Sequence, residues 1–233
     1  MTVAALVVGA YLIGSLSPSV LLGKAVRGID IRDHGSGNAG ATNAFRVLGT
    51  PLGGVVLLLD VAKGFAPVMA ARFVVEPDWT VLVALAAIAG HNYSIFLRGR
   101  GGKGVATGAG VLLAMMPISL VMLLGVFAVV LLSTSFVSAA SVTAAVGLPV
   151  LAFLGKQPTA YLLFSLAASG IVVWAHRGNV RRLLRGTEPK SGLTWSRVGA
   201  FLVRREWGRG ETAEAQQDVP ADVHRDPDEG GTS

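Results

Sequence analysis

The stretch that decides the fold is residues 104–155, GVATGAGVLLAMMPISLVMLLGVFAVVLLSTSFVSAASVTAAVGLPVLAFLG, which contains no Lys, Arg, Asp or Glu. Its 52 residues are more than twice the about 20 apolar residues that cross a bilayer as one helix. The run must therefore fold back on itself inside a membrane. Breaks are expected near Pro117 and at Ser133-Thr134-Ser135, because Pro cannot continue a helix and a short polar cluster marks a turn. The flanking charge decides between two and three crossings. Basic residues concentrate in residues 24–46, 98–103 and 177–209, and Lys and Arg gather in cytoplasmic loops. Placing all three segments on that side requires an odd number of crossings between Lys103 and Lys156, hence three.

Further apolar runs cover residues 1–23, 51–75, 79–97 and 157–175. The first has no charged side chain, no basic leading segment and no defined small-residue cleavage site, which fits a retained helix rather than a secretory signal. The expectation is an all-α integral membrane protein of seven transmembrane helices, N-terminus outside and C-terminus cytoplasmic. Residues 104–116 are shorter than a full span, so some helices are short, tilted or set in locally thinned bilayer.

Composition agrees with a bilayer setting. Apolar residues make up 52% of the 233 and charged residues 15%, against about 25% charged in a soluble domain, and mean hydropathy is +0.60. The chain has no cysteine, which excludes disulfides, thiolate nucleophiles, thiolate zinc sites and iron–sulfur clusters. Residues 1–207 hold 18 Lys and Arg against 7 Asp and Glu, whereas residues 208–233 hold 2 against 7. That last segment has almost nothing apolar and reads as a disordered acidic tail. Before it, Trp195, Val198, Phe201 and Leu202 recur at helical spacing among arginines. Residues 191–207 thus read either as an amphipathic interfacial helix or as one packed on the bundle. Residues 1–190 form the membrane domain. The basic residues lie between or just after apolar runs, where headgroup contacts and orientation signals belong, so nucleic acid is not an expected partner.

Three polar segments carry the candidate chemistry. The first is Gly35-Ser36-Gly37-Asn38-Ala39-Gly40-Ala41-Thr42-Asn43 followed by Arg46. Its glycines free the backbone to curl into an anion nest, with donors on Ser36, Thr42 and Asn43 and a fixed charge on Arg46; the alternative is a loop whose glycines serve turns only. The second, Arg98-Gly99-Arg100-Gly101-Gly102-Lys103-Gly104, is not a Walker motif, because Leu97 and Gly104 stand where that motif needs Gly and Ser or Thr. It opens onto an expected helix start at Val105, so backbone donors, helix dipole and the Lys103 ammonium could converge on an anion. In the third, His176 and Asn179 share a helical face ahead of Arg181 and Arg182. Ser138 and Ser141 offer hydroxyls to the same side. Asp60 and Lys63 lie three apart within a span and are expected to pair, since unpaired charge there is costly. His91 and Asn92 either orient the second loop or satisfy interior hydrogen bonds. No metal-ligand cluster is apparent, and no metal or cofactor is expected.

Taken together, GSGNAGATNAFRVLG, DVAKG, GHNYSIFLRGRGGKGVATGAG, FVSAAS and HRGNVRRLLRGTE resemble the bacterial acyl-phosphate:glycerol-3-phosphate acyltransferases, the PlsY family, over residues 1 to 190. The resemblance implies a seven-span enzyme of the bacterial cytoplasmic membrane. Its partners would be glycerol 3-phosphate, acyl phosphate, membrane lipid and, functionally, the soluble enzyme that makes acyl phosphate. Its products would be lysophosphatidate and inorganic phosphate. It implies that Ser36 and the loop of Gly37, Asn38, Gly40, Ala41, Thr42 and Asn43 hold the acyl-phosphate group. Arg46 and Lys103 would bind phosphate oxygens beside Gly101 and Gly102, and Ser138, Ser141, His176 and Asn179 would complete the site. Ala39, Ser94 and Gly178 depart from residues frequent in the family. The His-x4-Asp signature of the other acyltransferase superfamily is absent. An acyl phosphate is already a mixed anhydride, so the glycerol hydroxyl can attack it directly and no acyl-enzyme is needed. A transporter of phosphate or a phospho-sugar and a purely structural membrane protein are the alternatives left by the residues alone.

Overall fold

The computed structural model describes residues 1–191, which form α-helices joined by turns and short 3-10 segments, with no strand among the described residues. The helices are α1 (Thr2–Ser15), α2 (Pro18–Arg27), α3 (Ala41–Leu48), α4 (Thr50–Arg72), α5 (Pro77–Asn92), α6 (Val105–Met115), α7 (Pro117–Thr134), α8 (Val137–Leu154), α9 (Thr159–Ala175) and α10 (Arg177–Leu184). The interfacial helix and acidic tail expected beyond residue 191 lie outside the described residues.

The neutral run splits into three helices where its sequence breaks. Met116 leaves helical geometry and Pro117 opens α7, while Ser135 closes α7 in the left-handed region at φ 63°. The first apolar run is less regular than expected: Leu16 and Ser17 separate α1 from α2, with Pro18 as the first residue of the second helix. Thr2–Arg27, Thr50–Arg72, Pro77–Leu97, Pro117–Thr134 and Val137–Leu154 are long and apolar enough to cross a membrane, and α9 with α10 makes a sixth if taken as one bent span. Helix α6 is apolar with only 11 residues, about 16 Å of helix. The protein is therefore a multi-pass membrane protein, helical throughout its described residues apart from the connecting turns.

Two helix pairs hold the scaffold by backbone proximity. Gly14 of α1 faces the Ala87 carbonyl of α5, and Gly90 of α5 faces the Tyr11 carbonyl in return; Gly64 of α4 and Gly110 of α6 do the same with Thr107 and Val61. A Cβ at any of the four would meet a carbonyl oxygen. Lipid tails give helices no hydrophobic reason to associate, so such close approach supplies the packing. Val68, Val83, Ile88, Val111 and Phe164 fill the centre, whereas Ile118 and Val121 leave α7 with an exposed apolar face.

Beneath the loops lies a buried ionic cluster. Asp60 and Lys63 pair as expected, with Oδ1 2.9 Å from Nζ, and His91 Nδ1 approaches the same oxygen at 3.5 Å. Lys63 Nζ also donates to the Leu16 carbonyl at 2.6 Å, and Ser94 Oγ donates to the Ser15 carbonyl at 2.6 Å. The α1–α2 break would leave these carbonyls without helical partners. Side chains from α4 and from just after α5 take that place.

Candidate active site

The first loop is built by one asparagine. Buried Asn43 donates Nδ2 to the carbonyls of Ile31, at 2.9 Å, and His34, at 3.1 Å, and accepts the Ser36 N–H at 2.8 Å on Oδ1. Its polar atoms are thus committed to shaping the loop, not to facing an anion as the sequence suggested. Asn38 has a similar part: Oδ1 accepts from Gly40 N at 3.0 Å, and Nδ2 donates across to the Gly101 carbonyl at 3.3 Å. That bond ties the first loop to the second. Ser19 Oγ holds the Ala39 carbonyl from below at 2.7 Å. Ser36, Thr42 and Arg46 stay exposed, and Gly40 caps α3, leaving the Ala41 and Thr42 N–H groups at the helix start.

The second loop lies flat on the end of α5. Gly101 N donates to the Asn92 carbonyl at 3.2 Å and Gly102 N to the His91 carbonyl at 2.9 Å. A Cβ on Gly101 would strike the His91 carbonyl, and one on Gly102 would strike His91 Nε2. This corrects the expectation for Gly101 and Gly102: their N–H groups are turned into the protein, and their lack of a side chain serves close packing. His91 and Asn92 do orient the loop, through their carbonyls. Gly104, at φ +80°, then starts α6, whose first-turn N–H groups lie next to Lys103.

Lys103 is where the segments meet. Its Nζ donates to Asn179 Oδ1 at 2.6 Å, and Arg46, Arg182 and Glu188 are close enough to bias its charge. Burial pushes the ammonium down to about 8, since desolvation favours the neutral amine. His176 is 3% exposed and its Nδ1 lies 2.8 Å from the Val172 carbonyl. A carbonyl can only accept, so Nδ1 carries the hydrogen and Nε2 keeps a lone pair in the neutral ring.

Glu188 completes the cluster and was not singled out in the sequence. Its Oε1 accepts from Ser138 Oγ at 2.7 Å and Asn179 Nδ2 at 2.6 Å, and Oε2 accepts from Arg182 Nε at 2.7 Å. Partial burial opposes ionisation, but these hydrogen bonds hold the carboxyl below its usual range. Glu188 therefore fixes the Asn179 amide so that Oδ1 faces Lys103. Ser141 stands apart: its hydroxyl returns to the Val137 carbonyl of its own helix at 2.8 Å.

Ser141 instead lines an apolar cavity of about 100 Å³ between α5, α6, α7, α8 and α9. Gly104, Ser141 and Val172 stand at the end near Lys103, and Leu112, Leu148 and Phe164 lie deeper along their helices. A cluster of basic and amide groups thus opens beside a slot of hydrocarbon character, an arrangement suited to an anionic head with an apolar tail.

A family model described as glycerol-3-phosphate acyltransferase matches residues 4–186. Among curated relatives, the glycerol-3-phosphate acyltransferase of Geotalea daltonii is 45% identical over 184 residues, covering 78% of this chain and 94% of the relative. That of Thermosynechococcus vestitus is 45% identical over 195 residues, covering 79% and 92%. The crystal structure of PlsY, an integral membrane glycerol 3-phosphate acyltransferase, in its glycerol 3-phosphate form superposes with a TM-score of 0.79 at 36% identity, covering 82% of this chain and 96% of that one. Its lysophosphatidic acid form gives 0.77 at 35% identity, covering 82% and 95%. With a family model spanning residues 4–186 and relatives 45% identical over most of their length, this chain belongs to the glycerol-3-phosphate acyltransferase family.

Proposed function

We propose that this protein transfers a fatty acyl group from acyl phosphate to the 1-hydroxyl of glycerol 3-phosphate, an early step of bacterial phospholipid synthesis. The observation that carries this reading is the position of Lys103, bonded to Asn179 and close to Arg46, beside the apolar slot headed by Gly104 and Ser141. The phosphate of the donor lies against Lys103, Arg46 and the first turn of α6, and its chain enters the slot. Ser36, Gly37, Thr42 and the first N–H groups of α3, with Gly40 and Ala41, complete the exposed side.

The work of the site is to hold two anions together and stabilise the departing one. The glycerol hydroxyl oxygen attacks the acyl carbonyl carbon, and the bond from that carbon to the phosphate oxygen breaks with its electron pair going to phosphate. The hydroxyl proton passes to the departing phosphate, directly or through His176 Nε2. The products are lysophosphatidate and inorganic phosphate. Glycerol 3-phosphate and lysophosphatidic acid name the forms of the structurally similar PlsY, which supports both acceptor and product here. The soluble enzyme that makes acyl phosphate is the implied functional partner.

The same reading has seven crossings, with α6 as a short one and the 24–46, 98–103 and 177–191 segments on the cytoplasmic side of a bacterial inner membrane. Residues 1–190 are the catalytic domain, and residues 191–233, with their acidic end, lie outside it. Lys103→Ala and Arg46→Ala are expected to lower turnover by at least about 100-fold while membrane insertion is retained. Full turnover by both inserted variants would remove these charges from the mechanism.

A further inference from the structure

The outer side of the α9–α10 junction carries a feature the reaction does not use. The two helices meet at 56°, and an open cleft of about 430 Å³ lies at the bend, lined by Gly170, Val173, Trp174, Arg177, Val180 and Arg181. Arg177 and Arg181 stand one turn apart on the same face of α10 and are exposed. The Arg177 guanidinium sits 4.7 Å from the Trp174 ring centroid and donates to the Trp174 carbonyl at 3.1 Å. No carboxylate pairs with either arginine among the described residues; the acid nearest in sequence, Glu188, is bound to Arg182. Gly170 is not a packing glycine, because a Cβ there would meet nothing within 4 Å. Its absent side chain leaves a furrow along α9 that ends under the two arginines.

We propose that this cleft binds the phosphate of an anionic phospholipid, held by Arg177 and Arg181, with an acyl chain laid along Gly170 and Val173. Three observations favour that occupant. Unpaired guanidinium groups match a phosphate in both charge and planar fork geometry. Trp174, at the end of an apolar helix, belongs at headgroup level. The furrow below is apolar, which a soluble anion does not need. The inner face of α10 carries Asn179, the partner of Lys103. A lipid on the outer face thus braces the helix that sets the catalytic ammonium, as a positioning ligand and not as a substrate.

The test places the wild type, Gly170→Leu and the double variant Arg177→Gln/Arg181→Gln in phosphatidylcholine vesicles with and without phosphatidylglycerol. Lipid retention is read by native mass spectrometry and turnover in parallel. Wild type is expected to retain phosphatidylglycerol in preference to phosphatidylcholine and to turn over faster when it is present. Both variants are expected to lose about tenfold or more in retention and to lose the stimulation, while keeping wild-type turnover in phosphatidylcholine alone. Gly170→Leu fills the furrow without touching a charge and replaces Gly with a better helix former, so misfolding does not account for its loss. Equal retention by all three proteins would overturn the proposal. Loss in the arginine variant with Gly170→Leu unchanged would also overturn it, since general surface attraction would then suffice. Displacement of the lipid by glycerol 3-phosphate or inorganic phosphate would make this a soluble-anion site and overturn the lipid assignment. Retention is read without turnover, so a failure of the proposed reaction and a failure of this site are distinguishable.

Discussion

At the scale of single residues, the site turns on one ammonium held in a partly desolvated place. Burial lowers Lys103 to about 8, so it is charged at neutral pH and loses its proton as pH rises through that value. The anion-binding form exists below the inflection. Turnover per unit of free substrate, kcat/KM, is therefore expected to be flat near pH 7 and to fall about tenfold per pH unit above about 8. At saturating substrate the inflection moves up, because a bound phosphate favours the ammonium. Whatever activity remains in Lys103→Arg should lack the inflection, since a guanidinium does not titrate there. A pH–rate profile of both proteins checks this, and an unchanged inflection in the arginine variant would assign it to another group. Lys103, His176 and Asn179 were legible in the sequence because charge and amide groups stand out against apolar runs. Glu188 stands in the same motif as His176 and Asn179, but its role comes from Ser138, 50 residues away, and from Arg182, and no local spacing shows that.

At the scale of elements, the glycine-rich loops show where local reading stops. The sequence showed that residues 98–104 need freedom from side chains, and suggested an anion as the reason. The structure gives another reason, because Gly101 and Gly102 lie against His91 and Asn92. That ground is itself held by the Asp60–Lys63–His91 cluster, whose carboxylate is fully buried. The pairing of Asp60 with Lys63 was readable from its i, i+3 spacing inside a span; the approach of His91, from another helix, was not. Removing one partner leaves a buried charge uncompensated, at a cost of about 3–5 kcal/mol. Asp60→Asn is accordingly expected to lower the thermal unfolding midpoint in detergent markedly. Asp60→Asn/Lys63→Met should recover much of that loss, because the pair disappears together. If the double variant is no more stable than the single one, the ammonium is not the group left unsatisfied.

At the scale of the whole molecule, the helical class and the breaks at Pro117 and Ser135 followed from an uncharged run too long for one crossing. The α1–α2 break did not stand out, because Pro18 sits in a run with no charge to mark an end, and its freed carbonyls are satisfied by Lys63 of α4 and by Ser94 just after α5. The absence of cysteine from the chain makes sidedness directly measurable. With seven crossings, Asp33→Cys and Lys156→Cys lie on opposite sides of the membrane, because five crossing helices, α4 to α8 with the short α6 among them, separate them; without a crossing by α6 they would lie on the same side. In sealed right-side-out vesicles an impermeant thiol reagent should label the second and spare the first; the same result at both positions would contradict the crossing count.

The central claim is that the donor is an acyl phosphate and the acceptor glycerol 3-phosphate, and one assay tests both. Purified protein in lipid would be given glycerol 3-phosphate with either palmitoyl phosphate or palmitoyl-CoA, following lysophosphatidate and phosphate. The proposed reaction predicts lysophosphatidate and inorganic phosphate in equal amounts from palmitoyl phosphate, and neither product from palmitoyl-CoA. Turnover with palmitoyl-CoA alone, or with neither donor from folded protein, would contradict it.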